Sequence, residues 1–267
     1  MRIKLSRRGL LYTASIIVMN LMLMEGIFAD VDLRSAVGIW LFDEGGGNSA
    51  KDLSEKKNHG KLVKSPKWVK GKFSDALKFA GKEEHVVSSS NVGIPPDGKR
   101  SIVFWFKPAA DKGRQSIVTW GAFKAKQLFW VEYNGYKGAP NNIYAGGFDA
   151  DAYTEAKLTL NKWHHVAVVH PGLVGETKIY YDGISQKMLF FGGHKGKLET
   201  PDTPVGIGFD LAGKRQPLQG GLDEVAIFSD ALTEGDVKEI RKKGFQTILA
   251  VSPRGKLAVA WGKVKTQ

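Results

Sequence analysis

The chain has 267 residues, of which 42% are hydrophobic, 10% are aromatic and 32 are glycine, which suits one sizeable globular domain with many turns. It contains no cysteine, which excludes a disulfide framework, a thiol nucleophile and a thiolate metal site. The formal net charge is +12, but the lysines and arginines are scattered through predicted turns rather than gathered in one run. We therefore interpret the charge as a solvated surface and expect no nucleic-acid partner.

The N-terminal segment has the pattern of an export signal. Basic residues near the start precede an apolar stretch, residues 10–24, and the small Ala29 offers a cleavage point before Asp30. We predict that residues 1–29 are a signal peptide and that the mature protein is periplasmic, secreted or on the cell surface. The alternative is a retained helical anchor, which is the only membrane contact that we expect.

From Val37 onward, short apolar and aromatic runs are separated by turn residues, a spacing typical of a β-sandwich. The run Ser101–Phe106 is apolar on both alternating faces, which predicts a central strand. Asp182 and Gly183 after two tyrosines predict a hairpin turn, because both residues tolerate positive φ angles. The predicted strands cover residues 101–106, 115–122, 128–134, 142–148, 163–169 and 177–183.

One helix is predicted, over residues 232–243. Thr233 is a candidate N-cap, Asp236 stands at the reciprocal capping position, and Val237 and Ile240 form a small apolar face. The pattern indicates a short lid on the domain rather than a helical domain.

The C-terminal segment, residues 246–267, is predicted to be a separate tail. Its two apolar runs, residues 247–251 and 257–261, flank a Ser-Pro-Arg-Gly-Lys sequence and predict a hairpin. The tail could extend the sandwich, cover a sheet edge or hold the protein to a partner.

Several segments together carry a family resemblance. In chain order they are "GIWLFDEGGGNSAKDLSEKKNHG", "GKFSDALKFAG", "SIVFWFKP", "LNKWHHVAVV", "KIYYDG" and "GGLDEVAIFSDALTEGDVKEI". Over about Val37 to Lys243, the chain resembles the laminin-G-like, concanavalin A-like jelly rolls of secreted bacterial proteins. The resemblance implies an all-β, antiparallel two-sheet sandwich with one short C-terminal helix, over residues 30–245, in which the first and last strands lie side by side.

The resemblance also implies a possible metal site. Neighbouring first and last strands bring Asp43 towards Asp223, although the two are 180 residues apart in sequence. Ca²⁺ suits carboxylate, amide and backbone carbonyl oxygens, and Asn58 is a candidate third ligand. Such an ion would be a structural staple rather than a catalyst. The alternative is that the two carboxylates cap turns or pair with a lysine.

The sequence offers no catalytic pair. Glycosidases need two carboxylates facing each other across the sugar, and no strand here carries an E-x-D-x-E-like spacing. His164 and His165 are adjacent in a predicted strand, which favours a structural role over a zinc site. Serine-hydrolase and nucleotide-binding motifs are missing from the sequence as well. We therefore expect no catalytic residue.

Aromatic residues in the central third of the chain suggest binding instead. Tyr133, Tyr136 and Tyr153 stand among glycine and polar residues, so we expect them to be exposed and to contact a ligand, although strand aromatics are often core. Asp149 and Asp151 precede Tyr153 and are interpreted as an ordinary acidic loop rather than a second calcium site.

These features predict a non-catalytic exported module that binds carbohydrate or the surface of an extracellular or envelope protein. Two alternatives stay open. One is a glycan-active hydrolase or lyase with a diverged site, and the other is a purely structural or adhesion protein.

Overall fold

The computed structural model describes residues 31–134, 141–148, 150–192 and 196–251, and within them the chain forms two antiparallel sheets and one α-helix. The predicted signal segment, Tyr136, Asp149 and the second arm of the predicted hairpin lie outside these residues. The elements are β1 (Ala36–Trp40), β2 (Ser49–Ala50), β3 (Gly60–Val63), β4 (Lys67–Lys70), β5 (Asp75–Ala80), β6 (His85–Asn91), β7 (Arg100–Pro108), β8 (Gln115–Gly121), β9 (Leu128–Tyr133), β10 (Ile143–Gly147), β11 (Ala150–Thr154), β12 (His164–His170), β13 (Lys178–Tyr181), β14 (Ile184–Ser185), β15 (Met188–Gly192), β16 (Pro204–Ile207), β17 (Gln219–Phe228) and α1 (Glu234–Val251).

The strands form a two-sheet sandwich. Sheet A has the order β14-β13-β12-β7-β17-β5-β4, with β1 also paired to β17, and sheet B has the order β15-β11-β10-β9-β8-β16-β6-β3-β2. The first and last strands pair antiparallel, with Ile39 opposite Ala226. The predicted fold class and the implied neighbourhood of the chain's first and last strands are both confirmed.

Alternation along β7 shows how the sheets pack. Ile102, Phe104 and Phe106 point into the core between the sheets, whereas Val103 belongs to a second apolar cluster on the outside of sheet A. Because β7 lies between β12 and β17 and is covered on both faces, nearly all of its residues are buried. The predicted central strand is confirmed.

Helix α1 begins at a reciprocal capping pair. The backbone N–H of Thr233 donates to the Asp236 carboxylate at 2.8 Å, and the N–H of Asp236 donates to the Thr233 hydroxyl at 3.1 Å. These two bonds satisfy donors that the first helical turn leaves unpaired, and they confirm the predicted helix start.

The helix extends further than the sequence predicts. It kinks at Gly244, whose φ of +71° suits glycine, and the Glu224 carboxylate then accepts a hydrogen bond from the N–H of Phe245 at 2.9 Å. This buried acceptor caps a second helical segment that runs to Val251. Residues 247–251 are therefore helical, and the prediction that they form a hairpin strand is wrong.

Helix α1 covers the outer face of sheet A. Val237, Ile240 and Phe245 pack with Val103 and Phe228, and the Phe228 and Phe245 rings lie 6.1 Å apart. Burying each such side chain contributes about 1.5–3 kcal/mol. Within the described ranges, no helix combines the length and the apolar character needed to cross a membrane.

Candidate functional site

The outer face of sheet B carries rings and charges where sheet A carries a helix. Trp130 of β9 lies opposite Gly146 of β10, which lies opposite Asp151 of β11. One row along, Glu132, Tyr144 and Tyr153 follow each other across the same three strands. Since alternate strand residues share a face, all these side chains point outward. We call the following set the aromatic face: Arg114, Phe123, Leu128, Trp130, Glu132, Tyr144, Phe148, Asp151, Tyr153 and Arg215.

The rings of the aromatic face form a continuous series of contacts. Tyr153 stacks on Tyr144 with centroids 6.1 Å apart, and Tyr144 lies 6.2 Å from Trp130. Phe148 meets Trp130 edge-on at 6.3 Å and Phe123 edge-on at 5.5 Å. Phe123 and Phe148 are 44% and 39% exposed, whereas Trp130 is almost completely buried. The two phenylalanines are therefore the rings of this series that are most open to a ligand.

Two arginines lie over these rings. The Arg114 guanidinium is 5.0 Å from the Trp130 ring centre and 5.5 Å from that of Tyr144. The Arg215 guanidinium is 4.3 Å from the Phe123 ring centre and 5.8 Å from that of Trp130. Both distances to Trp130 lie within the range of cation–π attraction, so both guanidiniums converge on one ring.

Buried carboxylates hold the arginines and rings in place. Glu132 accepts hydrogen bonds from Nε and Nη2 of Arg114, and Asp210 accepts one from Nε of Arg215 at 3.0 Å. Asp151 accepts one from Nε1 of Trp130 at 3.2 Å. These three carboxylates are buried beneath the rings and guanidiniums, and they preorganise those groups.

Burial also changes the acidity of two of these carboxylates. It raises the pKa of Glu132 to about 7 in spite of the opposing charge of Arg114. It raises the pKa of Asp151 to about 7 as well, and the charge of Glu132 adds to that effect. The structure therefore brings two acidic groups with raised pKa values to one face, two strands apart, an arrangement that the sequence pattern does not predict.

The contacts of Glu132 and Asp151 favour a positioning role. A general acid must reach the glycosidic oxygen of a bound sugar. Glu132 is completely buried and Asp151 almost so, and both are engaged by an arginine or by ring donors. These contacts hold the Arg114 guanidinium and the Trp130 ring in place, and they leave neither carboxylate positioned to transfer a proton to a bound sugar.

The predicted ligand-binding tyrosines fall in different places. Tyr133 points into the core, is completely buried and donates its hydroxyl to Asn141 at 2.9 Å, so the expectation of an exposed Tyr133 is wrong. Tyr153 lies half-buried on the aromatic face. Asp151 belongs to a strand and not to an acidic loop. Because side chains alternate along β9, Trp130 and Tyr133 point to opposite faces of sheet B. The polar Glu132 shares the face of Trp130, and this polarity is the sequence signal that identifies the outer face.

Asp43 and Asp223 cap one turn between them. Asp223 accepts hydrogen bonds from the backbone N–H groups of Lys72 and Phe73 at 2.7 and 3.0 Å, and Asp43 accepts one from the N–H of Asp75 at 3.1 Å. A Cβ atom at Gly71 would lie 2.5 Å from the Asp223 carboxylate, so this close approach requires glycine. The turn-capping alternative considered from the sequence describes these contacts.

One buried oxygen of these two carboxylates has no hydrogen bond within the described residues. Oδ1 of Asp223 is buried and has no hydrogen-bond partner among the described residues. Burial raises the pKa of Asp223 to about 7, and the charge of Asp43 adds to the shift, so the two groups lie in each other's field. Across the described ranges, no three His, Cys, Asp or Glu side chains are grouped to hold a metal ion. A cation here would therefore need backbone carbonyl or water oxygens besides these carboxylates.

Asn58 is not part of that neighbourhood. Its amide nitrogen donates to the carbonyls of Ser90 and Asn91, and its oxygen accepts from Ser89 and from the N–H of Ser90. With its hydrogen bonds directed to residues 89–91, the side chain braces a loop against β6. This corrects the expectation that Asn58 ligates calcium. Asp52 is likewise structural, because its buried carboxylate accepts four hydrogen bonds from β1 and its own loop.

The architecture defines the class: a concanavalin A-like jelly roll, with one sheet covered by a helix and the other carrying an aromatic face. The chain belongs to the concanavalin A-like lectin/glucanases superfamily, whose Laminin_G_3 family model matches residues 80–238. A comparison with curated proteins gives no match.

Solved structures share the fold. Domain 4 of AbnA, a GH43 extracellular arabinanase from Geobacillus stearothermophilus in complex with arabinotriose, is 19% identical with a TM-score of 0.61, covering 78% of this chain and 98% of that domain. The binding domain of Paraclostridial Mosquitocidal Protein 1 is 18% identical with a TM-score of 0.59, and the match covers 79% of this chain and 52% of that one. The ligand binding domain of botulinum neurotoxin serotype D in complex with N-acetylneuraminic acid is 13% identical with a TM-score of 0.56. This match also covers 79% of this chain and 52% of that one. The chain thus spans about half the length of the toxin domains, and these identities support a shared fold alone.

Proposed function

We propose that this protein is a non-catalytic carbohydrate-binding module whose ligand lies on the aromatic face. The observation that carries the proposal is the pair of exposed rings, Phe123 and Phe148, beside guanidiniums that buried carboxylates hold in place. Ring faces pack on the apolar face of a sugar, while neighbouring polar groups meet its hydroxyls. The fold neighbours solved with arabinotriose and with N-acetylneuraminic acid lend support by analogy.

The test is affinity electrophoresis in gels that contain one of a panel of polysaccharides. We expect retardation of the wild-type protein by at least one polymer, without shortening of that polymer. The double variant Phe123→Ala/Phe148→Ala should bind about tenfold more weakly, the equivalent of about 1.4 kcal/mol. Ile184→Ala is the matched control, because Ile184 is an exposed apolar residue on sheet A and its loss should leave binding unchanged. Unchanged retardation of the double variant would contradict the assignment of this face.

A glycan hydrolase or lyase is the second candidate, and one observation favours it. Glu132 and Asp151 lie on one face, two strands apart, and an acid whose pKa is near 7 can give up a proton at neutral pH. Incubation with the same polysaccharides separates the candidates. A binding module releases no reducing ends, whereas release that Glu132→Gln or Asp151→Asn abolishes would establish an enzyme.

A partner protein of the cell envelope or extracellular space is the remaining alternative ligand. It would occupy the same exposed rings, because aromatic residues and arginine are enriched at protein interfaces. A module of this kind gives no signal on a glycan array but is retained by one purified envelope protein, and the Phe123→Ala/Phe148→Ala variant loses that retention.

The proposal includes a structural Ca²⁺ ion at Asp43 and Asp223. The buried Oδ1 of Asp223 has no partner in the described chain, and a cation bound there would satisfy it. Asp43 and backbone carbonyls of the 71–75 turn would supply further oxygens. The ion would tie the first and last strands of the domain and take no part in ligand chemistry.

Export is the last component of the proposal. The basic start and apolar stretch of residues 1–29 support removal of this segment during secretion. N-terminal sequencing of the protein outside the cytoplasm should give a chain that starts at Asp30. A Met1 terminus in the membrane fraction would instead identify a retained anchor, and one found only in the cytosol would contradict export.

A further inference from the structure

We propose that the ligand of the aromatic face is an acidic saccharide, whose carboxylates bind the guanidiniums of Arg114 and Arg215 around Trp130. This inference rests on the proposed function and names its ligand class. It starts from the hydrogen-bond donors that the two arginines present.

The arginines have donors to spare. A guanidinium carries five N–H groups in a planar fork, and this fork matches the two oxygens of a carboxylate. Within the described residues, Arg114 uses Nε and Nη2 on Glu132, and Arg215 uses only Nε, on Asp210. Nη2 of Arg215 is buried, so the donors open to a ligand are those on the exposed edges of the two guanidiniums. A ligand with acceptor oxygens would bind these edges.

The positively charged groups of this face lie closer to the solvent than the negatively charged groups. The Arg114 and Arg215 side chains are 35% and 32% exposed, while Glu132 and Asp210 are completely buried behind them. An approaching ligand therefore meets guanidinium edges and rings before it meets a carboxylate. The net positive charge of the chain attracts an anion over a longer range.

The buried acids can accommodate a second anion. Among the described residues, Glu132 feels the charges of Arg114, Arg215 and Asp210, and its own charge acts on Asp151. Burial keeps the pKa of Glu132 at about 7. A proton can therefore neutralise Glu132 when a ligand carboxylate replaces it as the ion-pair partner of Arg114. Binding of an acidic ligand should then take up protons and become tighter as the pH falls through 7.

The decisive experiment uses polymers that differ only in charge. Polygalacturonate, alginate and hyaluronan are each compared with the carboxyl-reduced form, in which the carboxylate has become a neutral hydroxymethyl group. We expect the wild-type protein to bind at least one acidic polymer more than tenfold tighter than its reduced form, and to bind it more weakly as NaCl rises from 50 to 300 mM. These measurements on the wild-type protein need no variant that might fail to fold.

Variants then locate the effect. Arg215→Gln should remove at least tenfold of the affinity for the acidic polymer and weaken binding of the reduced form much less, because only the acidic polymer loses a charge pair. Arg34→Gln is the matched control, because Arg34 is an exposed arginine paired with a carboxylate, Asp32, outside the aromatic face. Equal affinity for acidic and reduced polymers, lowered in both by Phe123→Ala/Phe148→Ala, would overturn the acidic ligand and leave the proposed function standing. Binding to none of the six polymers would overturn the acidic ligand, and the proposed function falls only if the wider polysaccharide panel gives no retardation either.

Discussion

The two outer faces of the sandwich use aromatic residues in opposite ways. On sheet A, Phe228 and Phe245 are completely buried between strand and helix among other apolar side chains. On sheet B, Phe123 and Phe148 stay exposed beside an arginine, over a layer of buried carboxylates. Aromatic content alone therefore does not indicate a binding face. The polar framework beneath the rings separates recognition from core packing, because polar groups are buried only where their partners are in place.

The largest expected effect is on the helix-covered side. Phe245→Ala removes a fully buried ring from the contact with Phe228, and such substitutions cost about 3–5 kcal/mol. For a domain of this size, the melting temperature should fall by roughly 6–20 °C. Thermal unfolding followed by circular dichroism measures the shift.

The same variant should retain ligand affinity below its melting point, because the aromatic face belongs to the other sheet. A loss of affinity by the folded Phe245→Ala protein would break the division of roles between the two faces. A shift below about 2 °C would show that α1 contributes little to the stability of the domain.

The calcium proposal predicts the next largest effect. An ion bound only by the folded protein stabilises it by about 2.7 kcal/mol at a hundredfold excess over Kd. Chelation with EDTA should therefore lower the melting temperature by roughly 5–10 °C relative to millimolar CaCl₂. Asp43→Ala and Asp223→Ala should each abolish this difference.

Asp32→Ala is the control for that measurement, because Asp32 is an exposed carboxylate paired with Arg34, and it should keep the full calcium-dependent shift. Identical melting of the wild type in EDTA and in CaCl₂ would leave Asp43 and Asp223 as turn caps without a metal.

A smaller, pH-dependent effect is expected beneath the aromatic face. Burial raises the pKa of Glu132 from 4.5 to about 7, so the folded state holds a proton that the unfolded state has already lost. The stabilising contribution is complete below pH 4.5 and is lost as the pH rises through about 7. Relative to Glu132→Gln, the wild type should lose roughly 1 kcal/mol per pH unit between pH 5 and 7. Urea unfolding of both proteins at several pH values measures this difference, and parallel pH profiles would contradict it.

The smallest effect on stability is expected from the exposed rings. Phe148→Ala should change the free energy of unfolding by less than about 0.5 kcal/mol, as for other surface substitutions, yet weaken ligand binding. Together with Phe245→Ala, this variant gives the sharpest form of the comparison: one phenylalanine serves binding and the other stability. A destabilisation of several kcal/mol by Phe148→Ala would show that this ring belongs to the core.

Local features of the fold could be predicted from the sequence alone. The alternation in Ser101–Phe106 identifies a central strand, and the turn at Asp182 and Gly183 has the positive φ angles of 50° and 81° that this dipeptide predicts. The capping pair of Thr233 and Asp236 sets the helix start. Each of these depends on residues that are close in sequence, so propensity and periodicity suffice to find them.

Tertiary structure alone decided the site. Alternation places Trp130 and Tyr133 on opposite sides of β9, but packing against sheet A decides which side is core. Asn58 becomes a brace because its partners lie more than 30 residues away, and Glu224 prolongs the helix from 21 residues earlier in the chain. Arg215 reaches Trp130 only because β16 lies beside β8 in sheet B. Hydrogen bonds and ring contacts of this kind depend on distance in space, which a linear pattern does not encode.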